Sequence, residues 1–205
     1  MKKLSSIICC AAVAALAALP ACAEDISGKL GVTGRLGFTV PADSEFTDIF
    51  PHATIDTDTG FTGGGGVLFG LNRSLAAEVE ITHTDFDGSI SGSKLGNSET
   101  TDIAFGLQYR FYEQLPHLVP YAGVGFDILL NDFTFADSFK GDVDTVVGLH
   151  AKAGADYFLS KRLAVTGELK GLVAGDADLK DSGFKVGKFD PSGVTTTVGI
   201  RYFFN

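Results

Sequence analysis

The chain has no tryptophan, one methionine and three cysteines, and the cysteines (Cys9, Cys10 and Cys22) all fall in its first 22 residues. A chain with no thiol beyond that point is not a disulfide-stapled secreted mini-fold, a thiol enzyme or a cysteine-ligated metal site. Positive charge is scarce. Lys and Arg number 16 against 25 Asp and Glu, a formal charge of −9. That balance argues against nucleic acid, whose phosphates need a basic face. Past the N-terminus no apolar run approaches the roughly 18 residues of a spanning helix, so none is expected there. Catalytic signatures are missing too. There is no H-E-x-x-H, no G-x-S-x-G and no phosphate loop, and His52, His83, His117 and His150 are scattered. DTDTG at 56–60 opens like a calcium loop but lacks the rest of its spacing. We therefore expect no enzyme activity, cofactor or bound metal.

What the chain does have is apolar and aromatic content. Hydrophobic residues make up 45%, with 17 Phe and 26 Gly. MKKLSSIICCAAVAALAALPACA (1–23) begins with Lys2 and Lys3, continues apolar and ends in small residues, the layout of a secretory signal peptide. Cleavage at Ala21-Cys22-Ala23 releases a domain of residues 24–205 whose charge, without Lys2 and Lys3, is −11. The competing reading is a lipoprotein box, Leu19-Pro20-Ala21-Cys22, with Cys22 lipidated.

From there the hydrophobic period is two. In KLGVTGRLGFTV, Leu30, Val32, Leu36, Phe38 and Val40 share one face and Lys29, Thr33, Arg35 and Thr39 the other. Similar segments predict strands near 28–40, 61–71, 75–85, 101–112, 120–131, 144–159, 163–172 and 190–204. Long connections (41–60, 86–100, 132–143, 173–189) alternate with short ones. An all-β, antiparallel up-and-down barrel of eight strands follows, with turns on one rim and loops on the other, as in transmembrane β-barrels. A soluble lipocalin-like carrier has the same topology with its apolar face inside. The polar face decides against it, because that face is mostly small: Gly64, Gly66, Gly106, Gly123, Gly125, Gly148, Gly154 and Gly199 fit a narrow interior better than a solvated sheet. Its charges come in both signs. Arg35, Glu78, Glu80, Asp102, Arg110, Asp127, Lys152, Asp156, Glu168, Lys170 and Arg201 are expected to pair across the lumen, since lone buried charges cost several kcal/mol. With the interior filled, a ligand belongs near the loop rim. Phe50, Leu130, Phe133, Phe135 and Phe184 are candidate binding residues there. They equally suit an interfacial aromatic girdle or packing of the loops on one another.

The C-terminal run Thr197-x-Gly199-x-x-Tyr202-x-Phe204, followed by Asn205, resembles the assembly signal of bacterial outer-membrane proteins. PYAGVGFD (120–127), AGADYFLSKRLAV (153–165) and FDPSGVTTTVGIRYF (189–203) resemble strands of the OmpW family of small eight-stranded barrels. That resemblance covers roughly residues 101–204. It implies a monomer in the Gram-negative outer membrane, in contact with lipid and lipopolysaccharide. It also implies export through the periplasm with chaperones and the barrel-assembly machinery. The function implied is a narrow channel or receptor that passes small hydrophobic molecules sideways into the membrane. The alternative is a structural or adhesive surface barrel with a plugged lumen and no transport.

Overall fold

The computed structural model describes the backbone of residues 25–204 apart from 43, 47–52, 58, 91–92, 113–116, 136–139, 144, 176, 182–183 and 190. It describes the side chains of 25–42, 59–86, 99–112, 117–131, 145–175 and 191–204. The expected signal peptide, with either cleavage point, lies outside these residues.

Among the described residues thirteen strands form, in chain order β1 (Leu30–Pro41), β2 (Ser44–Phe46), β3 (Ala53–Thr57), β4 (Gly60–Gly70), β5 (Leu75–Ile90), β6 (Ser93–Arg110), β7 (Leu118–Phe135), β8 (Lys140–Val143), β9 (Val146–Phe158), β10 (Leu163–Ala174), β11 (Ala177–Asp181), β12 (Phe184–Phe189) and β13 (Gly193–Phe203). Eight of them, β1, β4, β5, β6, β7, β9, β10 and β13, pair antiparallel with their chain neighbours, and β13 closes onto β1. Closure leaves no edge in lipid, where unpaired backbone groups have no partner. Stepping between paired residues, Gly31–Leu68–Glu78–Gly106–Gly125–His150–Leu172–Gly193–Pro41, returns to β1 ten residues along from the start. Eight strands with such a stagger tilt by roughly 35–45° and enclose a space just wide enough for side chains.

The short turns are built by side chains that replace missing backbone partners. Asn72 Oδ1 accepts from the amides of Ser74 (2.8 Å) and Leu75 (2.9 Å), and Ser160 Oγ accepts from the amides of Arg162 (3.3 Å) and Leu163 (3.1 Å). Before β1 the chain tucks under the barrel. Gly28 takes a left-handed φ of 72°, which a side chain would strain, and its amide donates to Gly70 O at 2.8 Å. This turn drives Ile26 into the turn-rim end of the lumen. There it forms an apolar plug with Leu68, Ala76, Val119, Phe158, Ala164 and Phe203.

The connections that read as long loops are largely strand. From Thr39↔Gly60, five steps reach Ser44↔Ile55, so β2 and β3 continue the β1–β4 ladder above the membrane. From Gly148↔Ala174, six steps reach Asp142↔Lys180, so β8 and β11 continue β9 and β10. β5 and β6 run on as one hairpin to Ile90↔Ser93 through the segment expected as the loop 86–100. Above the bilayer both faces of a strand meet water, so alternation no longer marks it.

The outer face rules out the lipocalin arrangement. Val147, Leu149, Val173, Val198 and Ile200 are each at least 60% exposed on the outside, while the charges lie within. Aromatic pairs Tyr109–Phe111 and Tyr202–Phe204, edge-to-face at 5.1 and 5.0 Å, mark the turn-rim boundary of the apolar belt.

Candidate functional site: a sealed lumen under an open cavity

Above the apolar plug the lumen is filled by an ion layer. Glu78 on β5 is its hub. Its Oε1 accepts from Arg201 at 2.9 Å and Arg35 at 3.4 Å, and its Oε2 from Lys152 at 2.7 Å and Gln108 at 2.8 Å. Arg35 also pairs with Glu80 and Glu168, both at 2.5 Å, and Lys152 with Glu80 at 2.6 Å. Asp156 holds Arg110 at 2.7 Å and Arg201 at 2.9 Å. Tyr121 donates to Glu168 at 2.9 Å, and the Arg201 guanidinium lies 5.5 Å over its ring. Each of these charged groups is at most 6% exposed. The layer closes the barrel to axial passage among the described residues.

Glycines make room for it. A Cβ on Gly154 would stand 2.5 Å from Gly167 O and from the Tyr121 ring. Gly154→Val is expected to displace Tyr121, break its hydrogen bond to Glu168 and push the backbone of β10 away, so folded protein, read as the fraction that migrates differently on SDS gels without boiling, should fall to a minor species.

A smaller group lies one level up. Lys170 Nζ is 2.6 Å from Asp102 Oδ2 and also bonds Asp127 Oδ1, and His150 Nδ1 is 2.6 Å from Asp127 Oδ2. Above that, threonine hydroxyls link across four strands, Thr195–Thr39–Thr62–Thr84, at 2.6 to 2.9 Å. They border a cavity of about 40 Å³ at the outer end, walled by Pro41, Phe86, Leu129, Leu172, Pro191 and several threonines, with Asp102 as its polar floor.

The structure thus gathers all eleven charges named from the sequence inside the barrel, in two groups. The rim candidates fare differently. Leu130 points outward beside the lipid belt, whereas its neighbour Leu129 points into the cavity. Phe133 and Phe135 lie on β7 and Phe184 on β12, but their side chains, and Phe50 altogether, lie outside the described residues. The sequence reading missed Leu172, Phe86, Pro41 and Pro191. A signal was present: Leu129 and Leu172 are large apolar residues at inward positions of the outer half of the barrel, where the other described inward residues of β1, β4 and β13 are small or polar. Among the described residues, two carboxylate-bearing groups have ligand atoms close enough to one another to hold a cation. Glu78, Glu80 and Glu168 are neutralised by Arg35, Lys152 and Arg201. His83, Asp85 and Glu99 are exposed on the outer wall, His83 Nε2 lying 3.3 Å from Asp85.

The model of the outer membrane protein beta-barrel domain family matches residues 9–188. Among curated proteins no sequence match is found. Three solved structures show the same fold. OprG of Pseudomonas aeruginosa superposes with a TM-score of 0.69 at 17% identity, over 89% of this chain and 98% of that one. AlkL, determined in lipid bilayers, gives 0.66 at 16%, over 89% and 93%. The E. coli outer membrane protein W gives 0.54 at 14%, over 88% and 100%. With a closed barrel, an apolar outer belt and a family match over most of its length, this chain belongs to the outer membrane protein beta-barrel domain family and is an integral protein of the Gram-negative outer membrane.

Proposed function

We propose that this barrel is a narrow conduit or receptor for small, largely apolar molecules, which enter at the outer mouth and leave sideways through the wall. The observation that carries the reading is the cavity seated on a sealed lumen. A molecule lodged there cannot continue along the axis, so it either stays bound or passes between strands. The wall has a seam suited to the second course. β1 pairs with β13 up to Pro41↔Gly193, and Ala42 N donates to Ser192 O at 2.7 Å. Above that, β2 and β12 lie side by side with no ladder between them among the described residues. Pro41 and Pro191 flank this seam and line the cavity, and proline has no N–H to extend a ladder. Phe50, Phe133, Phe135 and Phe184 are proposed to form the apolar approach from outside. Leu130 would meet lipid.

Thr82 faces the cavity and makes no side-chain bond in the interior network. Thr82→Trp should fill the space, since an indole far exceeds a threonine side chain in volume. In cells lacking the protein and complemented with either form, wild type should speed uptake of a small apolar solute. Thr82→Trp should return it to the uncomplemented rate while keeping the heat-dependent gel shift. Equal uptake with and without the wild-type protein would instead favour the structural or adhesive barrel.

A further inference from the structure

On the outer wall, away from the cavity, β5 and β6 bring together a mixed set of ligand atoms. His83 pairs with Thr101 and Asp85 with Glu99, and His83, Asp85 and Glu99 are exposed. One step down, Ile81 pairs with Ile103, and Ile81 is 54% exposed on the apolar belt. The group therefore sits where hydrocarbon gives way to headgroups. Two carboxylates directly opposite on neighbouring strands repel. The register carries that level further. Glu99 pairs with Asp132 and Asp132 with Asp142, so β5, β6, β7 and β8 each set an acidic residue at one height. His83, as an imidazolium, would bring one positive charge to the two carboxylates beside it. A divalent ion with a neutral imidazole brings the group to zero.

The distances separate a proton from a metal. An imidazolium hydrogen-bonded to Asp85 should place N and O about 2.7–2.9 Å apart. His83 Nε2 stands 3.3 Å from Asp85 Oδ1. Two bonds of about 2.0–2.1 Å to one tetrahedral zinc set their ligand atoms about 3.3–3.4 Å apart. One ligand atom each from His83, Asp85 and Glu99 lie within 4.8 Å of one another. The ring is also aimed from outside the group. Its Nδ1 is 3.0 Å from Thr101 Oγ1, and a neutral ring donating there keeps its lone pair on Nε2, beside Asp85. An outer hydrogen bond of this kind fixes the ring of a metal-ligating histidine. Imidazole among carboxylates suits zinc better than calcium or magnesium, which take oxygen ligands.

We propose that His83 Nε2 and one oxygen each of Asp85 and Glu99 bind a divalent ion of the zinc class on the outer wall, with a fourth position open to solvent. The site is independent of the cavity and of any conduit, and it departs from the sequence-based expectation of no bound metal. A bound ion clasps β5 to β6 where their hairpin leaves the membrane.

The test titrates zinc chloride into the full barrel, free of any histidine tag, in nanodiscs of zwitterionic lipid. The readout is the imidazole resonances of His83, identified by their loss in His83→Gln. The ring should shift saturably, with the larger change at Nε2, and magnesium at the same concentrations should leave it in place. Asp85→Asn, Glu99→Gln and Thr101→Val should each weaken zinc by roughly tenfold or more. These are outer-wall positions and the first two changes remove a repulsion, so each variant should keep the heat-dependent gel shift. A His83 ring that zinc does not move overturns the inference. So does zinc binding equally well to wild type, Asp85→Asn and Glu99→Gln, the result expected of an imidazole chelating alone. An equal response to magnesium overturns the zinc-class assignment.

Discussion

Glu78→Ala is expected to be the most damaging single substitution inside the barrel, costing about 3–5 kcal/mol, the range for breaking a buried ion pair by removing one partner. The reason is connectivity. Glu78 stands on β5 and accepts from Arg35 on β1, Gln108 on β6, Lys152 on β9 and Arg201 on β13, so one carboxylate joins five of the eight barrel strands. Without it three cations lose a neutralising partner in a space that water does not reach. Urea unfolding in lipid vesicles, followed by loss of the cold gel species, should show a large drop in midpoint. A paired replacement separates charge from packing. Glu78→Leu with Arg201→Met removes one charge of each sign and should recover part of the loss, because a balanced apolar substitution of a buried pair is often close to neutral. A Glu78→Ala barrel as stable as wild type would mean that water enters the ion layer and solvates it, and the seal that underlies the proposed sideways route would be gone.

Parity along each strand made the facing of the membrane segments legible. Wherever a strand has lipid on one side and the lumen on the other, alternation is strict, as at Arg35, Gly37 and Thr39 against Leu36, Phe38 and Val40. Three things were not legible. The partners of each charge depend on the stagger around the barrel, and no local pattern records that Arg35 lies level with Glu168, which is 133 residues away. The wall extensions were hidden because a strand in water on both faces loses its alternation, so FDGSI (86–90) reads as loop although it pairs along β6. The cavity was hidden because it is made by exceptions to the inward rule. Leu129 and Leu172 could have been singled out by parity, but Pro41 and Pro191 become neighbours only through closure of β13 on β1.

Arginine placed along the outer face of β10 should give a cost that depends on depth. Leu169 lies midway along the strand, between outward-facing Val165 near the turn rim and Val173 near the outer one. Leu169→Arg is expected to lower stability by about 2–4 kcal/mol, while Val165→Arg and Val173→Arg should cost about 0–1 kcal/mol, because near either boundary the side chain reaches polar headgroups. Urea titrations of the three variants in vesicles would measure the profile, and a flat one would mean that the belt is not centred near Leu169. The outermost position bears on transport as well. Leu172, next to Val173, pairs with Gly193, and Gly193 pairs with Pro41, so Val173 sits at the level of the seam. A small cost there puts the seam at the boundary of the hydrocarbon, where an amphiphile can pass its tail into lipid while its head stays in a polar layer. A cost as large as that at Leu169 would bury the seam in hydrocarbon. The proposed exit would then open onto hydrocarbon and serve neutral molecules alone.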